Sequence, residues 1–438
     1  MVAYSYFKSL IAPPMLVGIG MFGAACIASM YYSEWELDSL LVGTVLIIGG
    51  GTFLFTLFCM LIDYVFFPKS KLRPLNITCD FFKEKYMLIF YLFLNLATYI
   101  STLGKISYFR SVFGGGSVGE LMMAKHLDSF SGSDAVAQVP ALIRMTSNFS
   151  QIICYITIWC LALMLLSKKK NWLLFFLMLV HALLVIYDMM LSGSKGTMMT
   201  MPVSFVVIYI FMIYVKRGKY ELKKKVFLYV AIFFFGSISL FKGVSLYMGR
   251  DVEEQVAIDL FAEYWGAEIK NFDIYMHRHP KGEISKSFGA YTFRAWNEEI
   301  GTNKLVGPSG EFQNVNGYYL GNVYTMYYPY HADFGPYGMT VMLVIVALLS
   351  MFVYSKCIQG NANRIKLDMY IILYSIISFT LFMSFFSSKI TENIFRPGFL
   401  RTIIYIIVAV WIFNNFLFEN KKKSKIYEIL HSTQSRAW

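Results

Sequence analysis

The amino-acid sequence predicts an all-α, polytopic membrane protein with about ten transmembrane helices and one large loop on the outer side of the membrane. Three observations predict it. Of the 438 residues, 57% are hydrophobic and only 15% are charged, with a mean hydropathy of +0.54, whereas a soluble domain carries about 25% charged residues. Apolar runs long enough to cross a bilayer, about 18 residues or more, recur along the chain. A single long polar stretch, 249–335, interrupts them. Only helices and closed barrels satisfy their backbone in lipid, and no alternating pattern marks a barrel.

Hydropathy places the spans at 10–32, 38–67, 86–103, 141–167, 171–191, 197–215, 226–248, 336–355, 367–388 and 398–418. The first, from Ile11 to Tyr32, is too long for the apolar core of a cleavable signal and leads directly into the second. With the N-terminus inside, the inner segments are 1–9, 68–85, 168–170, 216–225, 356–366 and 419–438. They hold 23 of the 39 Lys and Arg residues. The outer segments, 33–37, 104–140, 192–196, 249–335 and 389–397, are far longer and hold 13. Arg144, Lys242 and Arg401 fall within spans. Basic residues favour the cytoplasmic side, so both termini are expected there. The formal charge of +12 then reads as topology rather than nucleic-acid affinity. Lys168-Lys169-Lys170 and Lys421-Lys422-Lys423 are the plainest anchors. The chain reads as one integral membrane domain, 1–438, with no internal repeat.

The six cysteines, Cys26, Cys59, Cys79, Cys154, Cys160 and Cys357, show neither a disulfide framework nor zinc spacing. None falls in an outer loop, and small buried apolar residues are the expected role.

The outer segment 249–335 carries 12 acidic and 7 basic residues. From Asp251 to His277, Val256, Leu260, Tyr264 and Ile269 recur at helical spacing and are expected to share one face. Aromatic residues are frequent there, so the segment is expected to fold as a cap lying on the membrane. The smaller outer loop 104–140 contains Arg110 and Gly114-Gly115-Gly116.

Charged groups within or beside a membrane are costly and mark candidate sites. Asp188 and Lys195 stand seven residues apart, the second in the break Ser192-Gly193-Ser194-Lys195-Gly196. A basic side chain on a small-residue turn at a helix start suits a phosphate; a snorkelling interfacial Lys is the alternative. Lys242 and Arg250 flank the outer end of the seventh span, and Arg144, Arg396 and Arg401 lie near the same membrane face. Basic groups gathered against the positive-inside trend point to an anionic ligand entering from the outer leaflet. His331 and Asp333 lie in a Tyr-, Pro- and Gly-rich turn before the eighth span, where either suits proton abstraction from a hydroxyl. Alternatively, Asp333 caps the next helix, with Pro336 in its first turn. Glu263, Glu268, Glu298 and Glu299 are further candidate bases, and no spacing selects among them.

Four motifs are set aside. Asp333-Phe334-Gly335 lacks the rest of a kinase signature. Gly114-Gly115-Gly116 lacks a nucleotide-binding context. His277-Arg278-His279 offers two imidazoles without a third ligand, so no metal is expected. The sequon at Asn76 falls on the inner side.

The chain resembles the O-antigen polymerase family, the oligosaccharide repeat unit polymerases (Wzy). The resemblance rests on many spans with basic inner ends, a large late outer loop, and three local matches. These are Ser192-Gly193-Ser194-Lys195-Gly196, where the family often has Arg at the position of Lys195; the aromatic stretch around Glu263-Tyr264 and Asn271-Phe272-Asp273; and Asn322-Val323-Tyr324-Thr325 followed by Asp333-Phe334-Gly335-Pro336-Tyr337-Gly338.

The resemblance implies a fold similar to C-type integral-membrane glycosyltransferases. It implies an enzyme at the outer face of the bacterial cytoplasmic membrane, with no cofactor and no metal. Its donor and acceptor are oligosaccharides on undecaprenyl pyrophosphate, with a chain-length regulator as a further partner. A sugar hydroxyl of one unit attacks the anomeric carbon of the chain on another, and the lipid pyrophosphate leaves. On this resemblance Lys195, Arg250, Arg294, Lys242 and Arg110 are expected to hold the pyrophosphate. His331, Asp333 and Tyr324 are expected to serve catalysis, and Asn322, Tyr264 and Trp296 to contact sugars. The product is an O-antigen or capsular polysaccharide. An O-antigen ligase and a flippase for lipid-linked oligosaccharides are the rival functions, a flippase predicting polar residues threaded through the bilayer midplane.

Overall fold

In a computed structural model, the described residues are 2–67, 72, 74, 75, 77, 79–128, 139–193, 196, 199–220, 241–249, 256–282, 288–301, 310–361 and 367–419. They form a mostly helical bundle with one small hairpin. Seven helices are long and apolar enough to cross a membrane among the described residues, and two apolar helices are shorter. The chain is therefore a multi-pass α-helical membrane protein. Of the ten expected spans, 226–248 lies largely outside the described residues.

The helices follow the apolar runs. A short helix α1 (Val2–Phe7) precedes α2 (Pro13–Ser29), which starts on two prolines whose missing N–H groups cost nothing in a first turn. Next come α3 (Val42–Phe66), α4 (Glu84–Phe113) and the short α5 (Val118–Asp128). Then follow α6 (Ala141–Leu166), α7 (Trp172–Met190) and α8 (Thr200–Arg217). The Asn171 side chain accepts from the Leu174 N–H to cap α7. Gly218, at φ 66°, ends α8 in the left-handed conformation.

After the helical residues 241–247, the cap contains α9 (Ala257–Trp265), α10 (Ala267–Arg278) and α11 (Arg294–Ile300). A hairpin of β1 (Gln313–Val315) and β2 (Tyr318–Gly321) follows, closed by Asn316-Gly317, both at positive φ as a two-residue hairpin turn prefers. The chain returns through α12 (Tyr327–Asn361), α13 (Met369–Phe382), the short α14 (Lys389–Asn393) and α15 (Gly398–Ile412).

The loops alternate between two ends of the bundle. At one end the cap meets the α2–α3 connection: Tyr31 Oη donates to Asp259 at 2.5 Å, Lys270 Nζ to the Glu36 carbonyl at 2.8 Å, and the Leu41 N–H to Asp273 at 2.9 Å. At the opposite end the chain closes on itself. The Lys83 N–H donates to the Leu417 carbonyl at 3.0 Å and the Glu419 N–H to the Phe81 carbonyl at 2.7 Å. Enclosure differs sharply among the helices. The apolar stretch of α6 is 78% buried, whereas that of α15 is only 22% buried. Helix α6 is thus central, and α15 presents Leu400, Ile404, Ile407 and Trp411 outward.

Three boundaries differ from expectation. Helix α4 continues ten residues beyond 103, so Lys105 and Arg110 are helical rather than in a loop. The eighth span begins at Tyr327, not 336, and breaks at Gly335 (φ 65°, ψ −171°) before Pro336 resumes the helix. The stretch expected to be one helix through His277 is two, broken at Gly266. There a Cβ would lie 2.8 Å from the Ala28 backbone nitrogen, so only glycine lets the cap approach α2 this closely. The break separates Ile269 from Leu260 and Tyr264, and Val256 is exposed, so the four do not share a face.

Candidate functional site

Two groups of side chains at the cap end carry chemistry, and a third lies within the bundle. The first is a charged cluster where α11 meets α14 and the start of α15. Arg294 Nε donates to Glu298 Oε1 at 2.6 Å, a pair spaced i, i+4 along α11. The Arg396 guanidinium grips Glu299, and the Gly398 N–H donates to the same carboxylate at 2.5 Å. A Cβ on Gly398 would lie 3.1 Å from Arg401 Nη2, so Arg401 also stands beside this group. Lys389 Nζ lies 2.5 Å from Glu392 Oε2, and Arg294 also acts on that carboxylate. Burial pushes the Glu392 carboxyl up, but Lys389, Ser387 and Arg294 outweigh it and hold it below its ordinary value. Arg294, Lys389 and Arg396 thus meet three carboxylates, with Arg401 alongside, next to the exposed apolar face of α15.

The second group lines the seam between α10 and residues 320–331. Asn271 Nδ2 donates to the Leu320 and Val323 carbonyls, both at 2.9 Å. His331 is buried, with Nδ1 3.2 Å from Tyr275 Oη and its ring edge-on to Phe272. Its Nε2 closes no hydrogen bond, although the Pro280 carbonyl faces the ring. Glu268 is buried one turn before Asn271, and neither of its oxygens is hydrogen-bonded to another residue. Burial pushes its carboxyl well above the ordinary range, and only its own backbone amide opposes the shift.

The third group lies between α4, α6 and α7. Lys105 Nζ lies 2.7 Å from Asp188 Oδ1, and the Ser147 hydroxyl donates to Asp188 Oδ2. Below it, Thr98 bonds Ser150 at 2.7 Å and Tyr91 bonds Thr157 at 2.9 Å. Tyr91, Asn95, Thr98, Thr102 and Lys105 recur at helical spacing, so α4 carries a polar stripe into the bundle.

These placements revise several expectations. Asp333 does not cap the next helix. It precedes the break, and its carboxylate accepts the N–H groups of Tyr291 (3.1 Å) and Thr292 (2.6 Å), fastening the turn before α11. Gly335 and Pro336 supply the restart instead. Tyr324 is buried, donates to the Glu311 carbonyl at 2.9 Å, accepts from Gln313 at 3.0 Å and stacks on Tyr328. Its hydroxyl is committed to holding the hairpin. Asn322 is half-buried beside it, Tyr264 stacks on Phe386, and Trp296 is exposed on α11. Arg110 is exposed near the end of α4. Lys242 follows Phe241, whose ring packs edge-on against Tyr264. Lys195 and Arg250 lie outside the described residues. Their described neighbours Gly193 and Gly249 both pack closely on α5.

Sequence reasoning missed two partners. Lys105 falls in the expected outer loop 104–140, yet it pairs with Asp188; its helical spacing from Thr98 and Thr102 is the signal for it. Lys389 opens the expected outer segment 389–397, and nothing local in the sequence links it to α11.

Fold and site together define a multi-pass α-helical membrane protein with a folded aromatic cap over one end. No protein-family model matches the chain, and no curated protein or solved structure is significantly similar to it.

Proposed function

We propose that this protein is a membrane glycosyltransferase that polymerises an O-antigen or capsular repeat unit carried on undecaprenyl pyrophosphate, at the outer face of the bacterial cytoplasmic membrane. One observation carries the reading: Arg294, Lys389, Arg396 and Arg401 gather where the cap meets the exposed apolar face of α15. A lipid-linked diphosphate has this shape, an apolar chain joined to a compact anion. In the free protein Glu298, Glu299 and Glu392 occupy the cations. A diphosphate would compete for them with greater charge density and bidentate geometry.

The chemistry asked of such a site is modest. The diphosphate is already an activated leaving group. The protein has to align a hydroxyl with the anomeric carbon, take its proton and neutralise charge growing on the leaving oxygens. The cation cluster suits the last task, and the aromatic seam of the cap suits the first.

The test is deletion of the gene and complementation with wild type, Arg294→Ala or Arg396→Ala, read on a polysaccharide gel. Wild type restores a ladder of long chains, and each variant loses it at unchanged protein level. Single-repeat glycans in the deletion strain mark a polymerase, and accumulated polymer on carrier lipid marks a ligase. Loss of all outer glycan marks a flippase. That second reading is favoured by the polar stripe Tyr91–Lys105, which threads the bundle as a transport path does.

A further inference from the structure

Several buried side-chain atoms beneath the cap are without hydrogen-bond partners. They are Glu268 Oε1 and Oε2, Asn271 Oδ1, Thr325 Oγ1 and Ser384 Oγ. Buried polar groups are bonded in about nine cases in ten, so a concentration of exceptions asks for a reason.

Asn271, Thr325 and Ser384 follow one seam, and Glu268 shares the helix face of Asn271. Glu268, Asn271 with Phe272, and Tyr275 recur one turn apart and share a face of α10. That face meets 320–331 through the Asn271 bonds to the Leu320 and Val323 carbonyls and through Tyr275 with His331. Thr325 and Met326 continue the same strand of chain, and the Met326 N–H donates to the Ser384 carbonyl at 2.8 Å.

Within this seam Glu268 differs from the cap's other described carboxylates. Asp259 is held by Tyr31, Asp273 by Leu41 and Thr44, and Glu298 by Arg294. Glu299 is held by Arg396, Glu311 by Arg278, and Asp333 by two backbone amides. Glu263 also has partners. Glu268 is 1% exposed and has neither oxygen bonded to another residue.

The chemistry of the seam selects a ligand class. It offers two kinds of hydroxyl, an amide oxygen and a carboxyl, with no Lys or Arg among the unbonded groups. Among the described residues no three metal-ligating side chains come together. Neutral donors and acceptors in mixture match hydroxyl groups rather than a phosphate or a cation. Tyr275 and Tyr328, packed edge to face, add aromatic surface to the same seam.

Resting on the polymerase reading, we propose that this seam is the acceptor-sugar subsite and that Glu268 takes the proton of the attacking hydroxyl. The hydroxyl O–H bond breaks and its proton passes to the Glu268 carboxylate. The oxygen forms a bond to the anomeric carbon. The bond from that carbon to the diphosphate oxygen breaks, and its electron pair leaves with the diphosphate. Glu268 then releases the proton to water. Burial keeps the acid protonated when the seam is empty; hydroxyls entering the seam donate to it and favour its ionised form, so its proton passes to water before the attacking hydroxyl gives up its own. A carboxylate of raised proton affinity is the stronger base.

The test combines two readouts on the full-length protein. In the deletion strain, wild type, Glu268→Gln and Glu268→Asp are compared on the polysaccharide gel. Glu268→Gln is expected to lower polymer about 10²–10⁴-fold at unchanged membrane level, and Glu268→Asp to keep a weaker ladder. Infrared spectra of the protein in phosphatidylethanolamine–phosphatidylglycerol nanodiscs are expected to show a buried protonated carboxyl that disappears at high pH and is missing in Glu268→Gln. This readout needs no substrate. A full ladder in Glu268→Gln beside a full wild-type ladder overturns the inference and leaves the polymerase reading standing. Absence of any wild-type ladder overturns both. Absence of the carboxyl signal removes the buried acid on which the inference stands.

Discussion

Lys105 and Asp188 join α4 to α7 through a 2.7 Å ion pair buried near the cap end of the bundle. Removing one partner leaves the other charge buried and uncompensated, which costs about 3–5 kcal/mol. Lys105→Met and Asp188→Leu are each expected to lower the thermal midpoint in detergent strongly. The double variant is expected to recover much of the loss. Additive losses in the double variant would show that the two charges act independently.

Asp333 is a fastening residue on this geometry, so its removal should loosen the turn before α11 rather than act first on chemistry. In Asp333→Ala the N–H groups of Tyr291 and Thr292 lose their acceptor, at a cost of about 1–3 kcal/mol. Hydrogen exchange by mass spectrometry should speed up over 288–293 and stay unchanged in α6. Unaltered exchange there would falsify the fastening role.

Gly266 sits where the cap touches the backbone of α2. Its φ of −154° is open to any residue, so the constraint is contact alone. Gly266→Val is expected to push the cap from α2 and to cost about 1–3 kcal/mol, typical of overpacking. A thermal midpoint equal to wild type would mean that the contact yields freely.

Glu268 makes stability depend on pH. Its carboxyl is raised in the folded protein, so the fold binds a proton that the unfolded chain releases near pH 4.3. Stability from this group is complete below that pH and is lost as pH rises through the folded value. The titratable groups nearby are Tyr31, Asp259, Glu263 and His331 on other elements and Lys270, Asp273 and Tyr275 on α10 itself, and none contributes to the shift. Thermal midpoints of wild type should therefore fall with rising pH relative to Glu268→Gln. Parallel curves for the two proteins would remove the claim.

The spans were legible because a run of about 18 apolar residues has few places to go but lipid. Their ends were not. Helix α4 runs to Phe113 because Ile106 and Phe109 keep the buried face apolar, while Lys105 and Arg110 depress the window average that marks a span. The kink at Gly335 hid the first turns of α12, since Tyr327–Phe334 is polar and aromatic. The site was legible only as residue types. Charge near one membrane face was visible, and Arg294 does join Lys389 through Glu392. Which carboxylate lacked a partner was invisible. Glu263, Glu268, Glu298 and Glu299 look alike in sequence, and their environments come from elements far apart along the chain.

The backbone bonds between 81–83 and 417–419 tie the entry of α4 to the end of α15. Translation separates those segments by more than three hundred residues, so the clasp forms only once α15 has left the ribosome. Until then the early helices wait in the bilayer with that edge unsealed. A nonsense mutation shortly before Phe418 should therefore yield a chain that inserts but is recognised by membrane proteases as unfinished.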